Sequence, residues 1–174
     1  FFRAWELHGR FPQILQDEVV GEEARSLYAD ALEMLERMKS ENALELKGVF
    51  GLFPAASDER DQIHISNEKG ENCAVFQTLR QQKEKKGDGP YFALSDFVAP
   101  ISSDVQDYVG AFTVTAGGGL AEWIQPFEDA QDDYSSIMAK ALADRLAEAF
   151  AEYLHEQVRT RYWGYAREEQ MSNE

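Results

Sequence analysis

Residues 140–156 have the pattern that most restricts how this chain can fold. At 100° per residue, one side of a helix here is apolar and comprises Leu142, Leu146, Phe150 and Tyr153. The opposite side is polar, and three side chains fall within about 40° of one another: Asp144, Glu148 and His155. Alanines lie between the two sets, at Ala143, Ala147 and Ala151, and would let a bulky group approach the polar side. The pattern predicts a long amphipathic helix whose apolar side packs against the rest of the protein and whose polar side is accessible to a ligand or partner.

Length and charge narrow the class of protein. The chain has 174 residues, of which 44% are hydrophobic, which is enough for one domain with a core of its own. Its net charge of −15 argues against nucleic acid as a partner, because phosphate binding needs clustered Lys and Arg. Anionic membrane surfaces are disfavoured for the same reason, and no apolar run approaches the ~18 residues of a membrane span.

The single cysteine and the N-terminal residues bear on the cellular compartment of the protein. Cys73 has no possible intrachain disulfide partner and fits a reducing cytosol, so a cytoplasmic location is expected. It lies in a predicted strand and is expected to be a packed, unreactive thiol, since no cations adjoin it in sequence. The chain begins at Phe1 without a signal peptide or an initiator Met, and it is interpreted as a piece of a longer protein.

The order of predicted elements indicates an α+β fold. Apolar residues at helical spacing predict a helix over 22–42, and a long helix is predicted over 127–161. The middle of the chain alternates as strands do, over 48–53, 62–65, 73–77, 91–94 and 108–115. Turn-like segments at 67–70 and 86–90 favour antiparallel pairing. Helix, strands and helix in blocks favour α+β over alternating βαβ units.

No motif of independent catalysis is present. The three histidines are not spaced as metal ligands, and His64 is expected to be a half-buried sheet residue, so no metal site is predicted. A Gly-x-Ser-x-Gly elbow is absent. Gly117-Gly-Gly119 follows a strand but lacks the spacing of a phosphate-binding fingerprint, and a flexible loop is expected. The sequence therefore predicts no catalytic residues.

Two groups of polar residues can each be interpreted in two ways. The one basic island in this acidic chain comprises Arg80, Lys83, Lys85 and Lys86. It is either a solvated helix end and loop, or a docking patch for an acidic protein. The stripe of Asp144, Glu148 and His155 is either a solvated helix face or a set of hydrogen-bond acceptors for a ligand or a partner.

Segments spread along the chain resemble one family. They include Phe1-Phe2 with Trp5, Pro12-Gln-Ile-Leu15, Asp17-Glu-Val-Val-Gly21, Gly51-Leu-Phe-Pro-Ala55, Leu79-Arg-Gln-Gln82, Asp96-Phe-Val-Ala-Pro100, Tyr108-Val-Gly-Ala-Phe112, Asp132-Asp-Tyr134, residues 140–156 and Tyr162-Trp-Gly-Tyr165. In shared order and spacing, they resemble the activation (reactivation) domain of cobalamin-dependent methionine synthase.

The resemblance implies a fold and a role. The implied fold is α+β: a single curved domain with a twisted antiparallel sheet flanked by helices. The implied enzyme is a cytoplasmic zinc- and cobalamin-dependent methyltransferase that moves a methyl group from methyltetrahydrofolate to homocysteine. Its activation domain presents S-adenosylmethionine to oxidised cobalamin, while flavodoxin or a flavoprotein reductase supplies an electron. Partners implied are the cobalamin-binding domain and this electron donor. The second function kept open is a protein-docking module that receives the donor at Arg80, Lys83, Lys85 and Lys86.

The resemblance also implies roles for two acids. Glu148 matches a family acid that lines the S-adenosylmethionine pocket, and Asp144 matches one that faces the cobalamin domain. The family's Arg-x-x-x-Gly-Tyr-Pro segment is expected beyond Glu174, and another ligand-contacting acid before Phe1. The 174 residues are therefore expected to be one domain, a fragment lacking its N-terminal edge and C-terminal part, with weak or no S-adenosylmethionine binding of its own.

Overall fold

A computed structural model describes residues 1–85 and 87–169. The described residues form three α-helices: α1 (Gly21–Ser40), α2 (Leu120–Asp129) and α3 (Asp133–Gln157). The strands among them are β1 (Glu45–Ser57), β2 (Gln62–Ser66), β3 (Asn72–Gln77) and β4 (Asp107–Gly118). Short 3₁₀ turns occupy Phe2–Trp5, Gln13–Gln16 and Leu94–Phe97, and a π turn occupies Val158–Tyr162. In the described part of the chain, no helix is long and apolar enough to cross a membrane.

The strands form one antiparallel sheet in the order β3-β2-β1-β4. Ala55 of β1 pairs with Ile65 of β2, and His64 of β2 pairs with Val75 of β3. Ile63 and Ile65 point into the core while their neighbours are half-buried, as the alternation along a strand requires. The predicted α+β class, with an antiparallel sheet and a long C-terminal helix, is confirmed.

The chain divides into two compact units, Phe50–Phe112 and the combination of Phe1–Val49 with Thr113–Glu174. The helical unit has a core of buried residues from all three helices: Ala24, Leu27, Ala31, Met38, Ile124, Met138, Ala139 and Leu142. The core of the other unit is smaller and comprises Ala55, Ile63 and Ile65, packed against Ala74, Val98 and Val109. The interpretation of the 174 residues as one domain stays a prediction.

The predicted helix over 127–161 is wrong at its start, where α2 and α3 are separate helices, and its predicted end near Arg161 is confirmed. Gln131 has a left-handed backbone with φ of 56°, which ends α2. Asp132 then caps α3, because its carboxylate accepts a hydrogen bond from the Ser135 amide at 3.0 Å. At the other end the α-helical pattern gives way to the π turn, and Gly164 follows with φ of 77°.

The predicted strands also need correction. No strand forms over 91–94, since the Ala93 amide donates to the Asp96 carboxylate at 2.9 Å and a 3₁₀ turn begins. β1 runs on through Pro54 instead of ending there. Gly117 and Gly118 are not a loop but the last residues of β4. A β-carbon on Gly119 would lie 2.8 Å from the Ala43 carbonyl oxygen, so glycine permits the close turn into α2.

Candidate functional site

Helix α3 packs inward through Leu142, Leu146 and Phe150, as predicted, but not through Tyr153. Its buried and half-buried residues recur at helical spacing: Met138, Ala139, Leu142, Ala143, Leu146, Ala147, Phe150, Ala151 and Leu154. Tyr153, assigned to the apolar side, is 55% exposed, and Ala143 is buried. The alanines therefore do not open the polar side to a bulky group. A close approach to α3 occurs instead at Gly48, where a β-carbon would lie 3.0 Å from the Phe150 ring.

Asp144 and Glu148 lie on the exposed side of α3, where their side chains are 72% and 60% accessible. Arg145 links them: its Nη2 donates to Asp144 Oδ2 at 2.8 Å and to Glu148 Oε1 at 2.6 Å. The pKa of Arg145 is raised, chiefly by the Asp144 hydrogen bond. His155 lies on the same exposed side, seven residues beyond Glu148.

Arg145 is a site residue that the sequence analysis missed. The signal was available, because an arginine with a carboxylate three residues further along a helix is positioned to form an ion pair. The consequence is that the two predicted acids act as a pair around one shared guanidinium.

A cavity of about 670 Å³ in the helical unit adjoins this cluster. Arg145 lines it together with aromatic and aliphatic side chains, among them Phe1, Phe2, Phe11, Tyr28 and Leu142. The Phe11 and Tyr28 rings lie 5.3 Å apart. A largely apolar cavity of this size, with few polar groups, is of the kind that holds a small ligand. Asp144 and Glu148 do not line it themselves; they reach it through Arg145.

The residues of the basic island differ in their contacts. Arg80 is committed to the fold, because its guanidinium donates to Asp96 at 2.7 and 2.8 Å and also bonds both oxygens of Asp61. A further bond goes to the Tyr91 carbonyl at 2.6 Å. The Arg80 hydrogen bond lowers the pKa of Asp96 to about 2, with help from the Ala93 amide. Arg80 is therefore a structural link rather than a free surface cation.

Lys83 and Lys85 remain at the surface. Lys83 is exposed, while Lys85 donates to the Pro90 carbonyl and places its ammonium 5.2 and 5.1 Å from the Tyr91 and Phe92 rings. The described part of the segment is a loop, as the first interpretation expected, but no helix ends here. Lys86 lies outside the described residues. Docking at the three lysines stays a prediction.

Two comparisons with known proteins decide the family. A family model described as "Vitamin B12 dependent methionine synthase, activation domain" matches residues 1–174. This chain belongs to that family. A solved structure described as the crystal structure of the MetH reactivation domain bound to AdoHcy is 51% identical to this activation domain, with a TM-score of 0.87. The match covers 99% of this chain and 53% of that one, so the chain spans about half the length of the solved protein.

Two other sequence predictions for this activation domain have definite outcomes. His64 is a half-buried sheet residue, as predicted: its Nε2 lies 3.0 Å from Asp58 Oδ2, and Asn72 donates to Nδ1 at 3.2 Å. Cys73, by contrast, is exposed on the edge strand β3 and not packed. Its Sγ lies 3.4 Å from the Ile65 carbonyl oxygen. Among the residues that the structure describes, no cluster of His, Cys, Asp or Glu is arranged to hold a metal ion.

Proposed function

We propose that this activation domain presents S-adenosylmethionine to the cobalamin of a cobalamin-dependent methionine synthase during reductive reactivation. One observation supports the proposal: Arg145 bonds both exposed acids and lines a cavity rich in aromatic side chains. The chain is also 51% identical in sequence to a solved reactivation domain described as bound to AdoHcy. Cobalamin, which another domain of the full cytoplasmic enzyme would hold, would supply the reduction and methyl-accepting chemistry.

The residues present suit such a ligand. S-adenosylmethionine joins a flat adenine to a ribose and a cationic sulfonium. The Phe2, Phe11 and Tyr28 rings offer faces for a planar base or a cation. Glu148, exposed beside Arg145, is available to accept hydrogen bonds from ribose hydroxyls. Asp144, more exposed still, is available to a histidine of the cobalamin domain.

The domain's task in this proposal is positioning. Holding two reacting groups in the correct geometry can remove a large part of the barrier to their reaction. The residues of this chain would bind and orient the ligand, and the full enzyme would provide the methyltransferase chemistry.

The two acids are separable by experiment in the full-length enzyme. Glu148→Gln should weaken S-adenosylmethionine binding by about tenfold or more, measured by calorimetry, because a charge-assisted hydrogen bond is lost. Asp144→Asn should retain ligand affinity yet slow reactivation, followed by the visible absorbance of the cobalamin. Glu152→Gln, an exposed acid on the same helix, is the matched control. Unchanged ligand affinity in Glu148→Gln would overturn the assignment of Glu148.

A second function concerns the two lysines of the loop after β3, of which Lys83 is exposed and Lys85 half-buried. We infer that Lys83 and Lys85 contribute to docking an acidic electron donor such as flavodoxin or a flavoprotein reductase, since they are surface cations in a chain of net charge −15. Lys83→Glu with Lys85→Glu should lower the rate of electron transfer and flatten its dependence on salt. An electron-transfer rate equal to that of the unaltered enzyme would contradict a role for these lysines in docking.

A further inference from the structure

Arg145 is the only base in the middle of helix α3. Residues 141–154 contain three acids besides it, Asp144, Glu148 and Glu152. Both carboxylate oxygens of Glu148 accept hydrogen bonds from Arg145, at 2.5 and 2.6 Å, whereas Asp144 accepts through one oxygen at 2.8 Å. We call Asp144, Arg145 and Glu148 the α3 charge cluster. Its guanidinium offsets one of the two carboxylate charges, so the cluster as a whole keeps one negative charge.

The α3 charge cluster adjoins the cavity of about 670 Å³ through its positive member. Arg145 and Arg3 line the cavity, whereas no acid is among the lining residues that the structure describes. Charges act through space, so a ligand held there experiences the guanidinium together with the two carboxylates that Arg145 bonds. The Arg145 side chain is 43% accessible, and solvent therefore weakens this interaction without abolishing it. The net charge of the cluster thus influences how well the cavity accepts a cation.

The ligand of the proposed function changes its charge when it reacts. S-adenosylmethionine carries a positive sulfonium sulfur. When its methyl group passes to a nucleophile, the carbon–sulfur bond breaks and leaves its electron pair on sulfur, while the nucleophile, here reduced cobalamin, supplies the pair for the new bond. The product, AdoHcy, is a neutral thioether with the same adenosine and amino-acid groups. The two compounds therefore differ only in one methyl group and in the charge on sulfur.

This change of charge makes the balance of acids and arginine important for the rate. In the transition state the positive charge on sulfur is already smaller than in the bound ligand. Carboxylates that attract the sulfonium therefore stabilise the ground state more than the transition state, and such binding slows the reaction. An arginine that offsets one carboxylate reduces this cost, because both acids stay in place to accept hydrogen bonds while the attraction for the cation is moderated.

We propose that Arg145 limits the preference of this site for the cationic S-adenosylmethionine over its neutral product, because it offsets one of the two carboxylate charges beside the cavity. The inference rests on the S-adenosylmethionine binding proposed above. It makes Arg145 a specificity-determining residue that acts through the charge of the cluster. Asp144 and Glu148 keep the roles assigned to them under the proposed function.

The test measures the Kd of S-adenosylmethionine and the Kd of AdoHcy by calorimetry on the full-length enzyme, and compares their ratio between variants. A change in stability or in the orientation of Glu148 affects both ligands alike, so the ratio reports the charge on sulfur. Arg145→Gln should raise the preference for S-adenosylmethionine by about two- to fivefold at roughly 20 mM NaCl, and by less at roughly 300 mM. Arg145→Lys keeps the charge and should keep the ratio. Arg60→Gln, at an exposed arginine in the unit Phe50–Phe112, is the matched control.

A second set of variants separates charge from hydrogen bonding. Glu148→Gln removes one negative charge and should lower the preference for S-adenosylmethionine below that of the unaltered enzyme. Adding Arg145→Gln to it restores the net charge of the cluster but none of its ion pairs, so the preference should return towards the unaltered value. An unchanged ratio in Arg145→Gln, or a double variant that stays at the level of Glu148→Gln, would overturn the proposal. Failure of the unaltered enzyme to bind either compound would instead contradict the proposed function itself.

Discussion

Arg80 and Arg145 each lie between two carboxylates, but the two arrangements have different consequences. The acids of Arg80 are 19 and 16 residues away in sequence, so its bonds tie together separate segments of the unit Phe50–Phe112. The acids of Arg145 are its immediate neighbour and a residue one helical turn on. Loss of Arg80 therefore affects folding, while loss of Arg145 affects how two surface acids are oriented.

The Arg80 link should appear in the pH dependence of stability. The pKa of Asp96 falls from 3.8 to about 2 in the folded chain, because Arg80 favours the charged carboxylate. The stabilisation is complete above the unfolded value and is lost as pH falls from 3.8 towards 2. Asp96→Asn should lower the melting temperature at neutral pH and flatten its acid dependence in that window. Asp104→Asn, at an exposed acid, serves as the control, and parallel pH profiles for all three proteins would refute the link.

At the level of elements, α3 shows how packing selects one arc of a helix. The apolar pattern included Tyr153, yet the observed buried arc is shifted towards Ala139, Ala143 and Leu154. Small residues allow α3 to approach its neighbours closely, and an exposed tyrosine keeps its hydroxyl in water. Asp144 and Glu148 are exposed to solvent whether the predicted or the observed buried arc is used, so the position of the polar side was predicted correctly.

The shifted arc predicts which substitutions on α3 destabilise the protein. Met138→Ala should cost about 2–5 kcal/mol of unfolding free energy, because Met138 is 1% exposed and its loss leaves a cavity. Tyr153→Ala should cost less than about 1 kcal/mol, since that ring is mostly in solvent. Urea unfolding measures both. Equal losses at the two positions would contradict the observed orientation of α3.

The break between α2 and α3 makes a separate prediction. Gln131 adopts a left-handed backbone that costs a residue with a β-carbon about 1–2 kcal/mol, and glycine avoids this cost while losing more entropy on folding. Gln131→Gly should therefore raise the unfolding free energy by about 0.5 kcal/mol or leave it unchanged, whereas Gln131→Val should lower it. Stabilisation by valine in thermal unfolding would show that the helix is continuous here.

For the whole molecule, the net charge of −15 is the dominant electrostatic property. Most acids are at the surface, and a compact chain brings these like charges closer together than an unfolded one does. The excess of negative charge disfavours phosphate-bearing partners.

This charge should make stability depend on salt. Raising NaCl from roughly 20 to 200 mM at pH 7 should raise the urea midpoint, because screening weakens repulsion within the folded state. The effect should diminish near pH 5, where some carboxylates are protonated and the net charge is smaller. A midpoint that falls with salt at pH 7 would mean that surface ion pairs outweigh the repulsion.

Local pattern was sufficient for much of the fold. The helical spacing of Leu27, Ala31 and Met38 predicted α1, and the alternation around Ile63 and Ile65 predicted β2. The exposure of Asp144 and Glu148 followed from their spacing as well. The strand predicted over residues 91–94 is wrong, because an apolar run forms a strand only when a neighbouring segment supplies a ladder of backbone hydrogen bonds. Here the Ala93 amide bonds to Asp96 instead.

The sequence by itself determined the α+β class, the acidic side of α3 and the resemblance to the activation-domain family, because these depend on residue type at short spacing. Only the tertiary structure decided that Arg80 belongs to the fold, that a cavity lies beside Arg145, and that Leu79 and Leu94 face outward. These facts depend on which distant segments meet, and contacts between residues far apart in the chain leave no periodic trace in it.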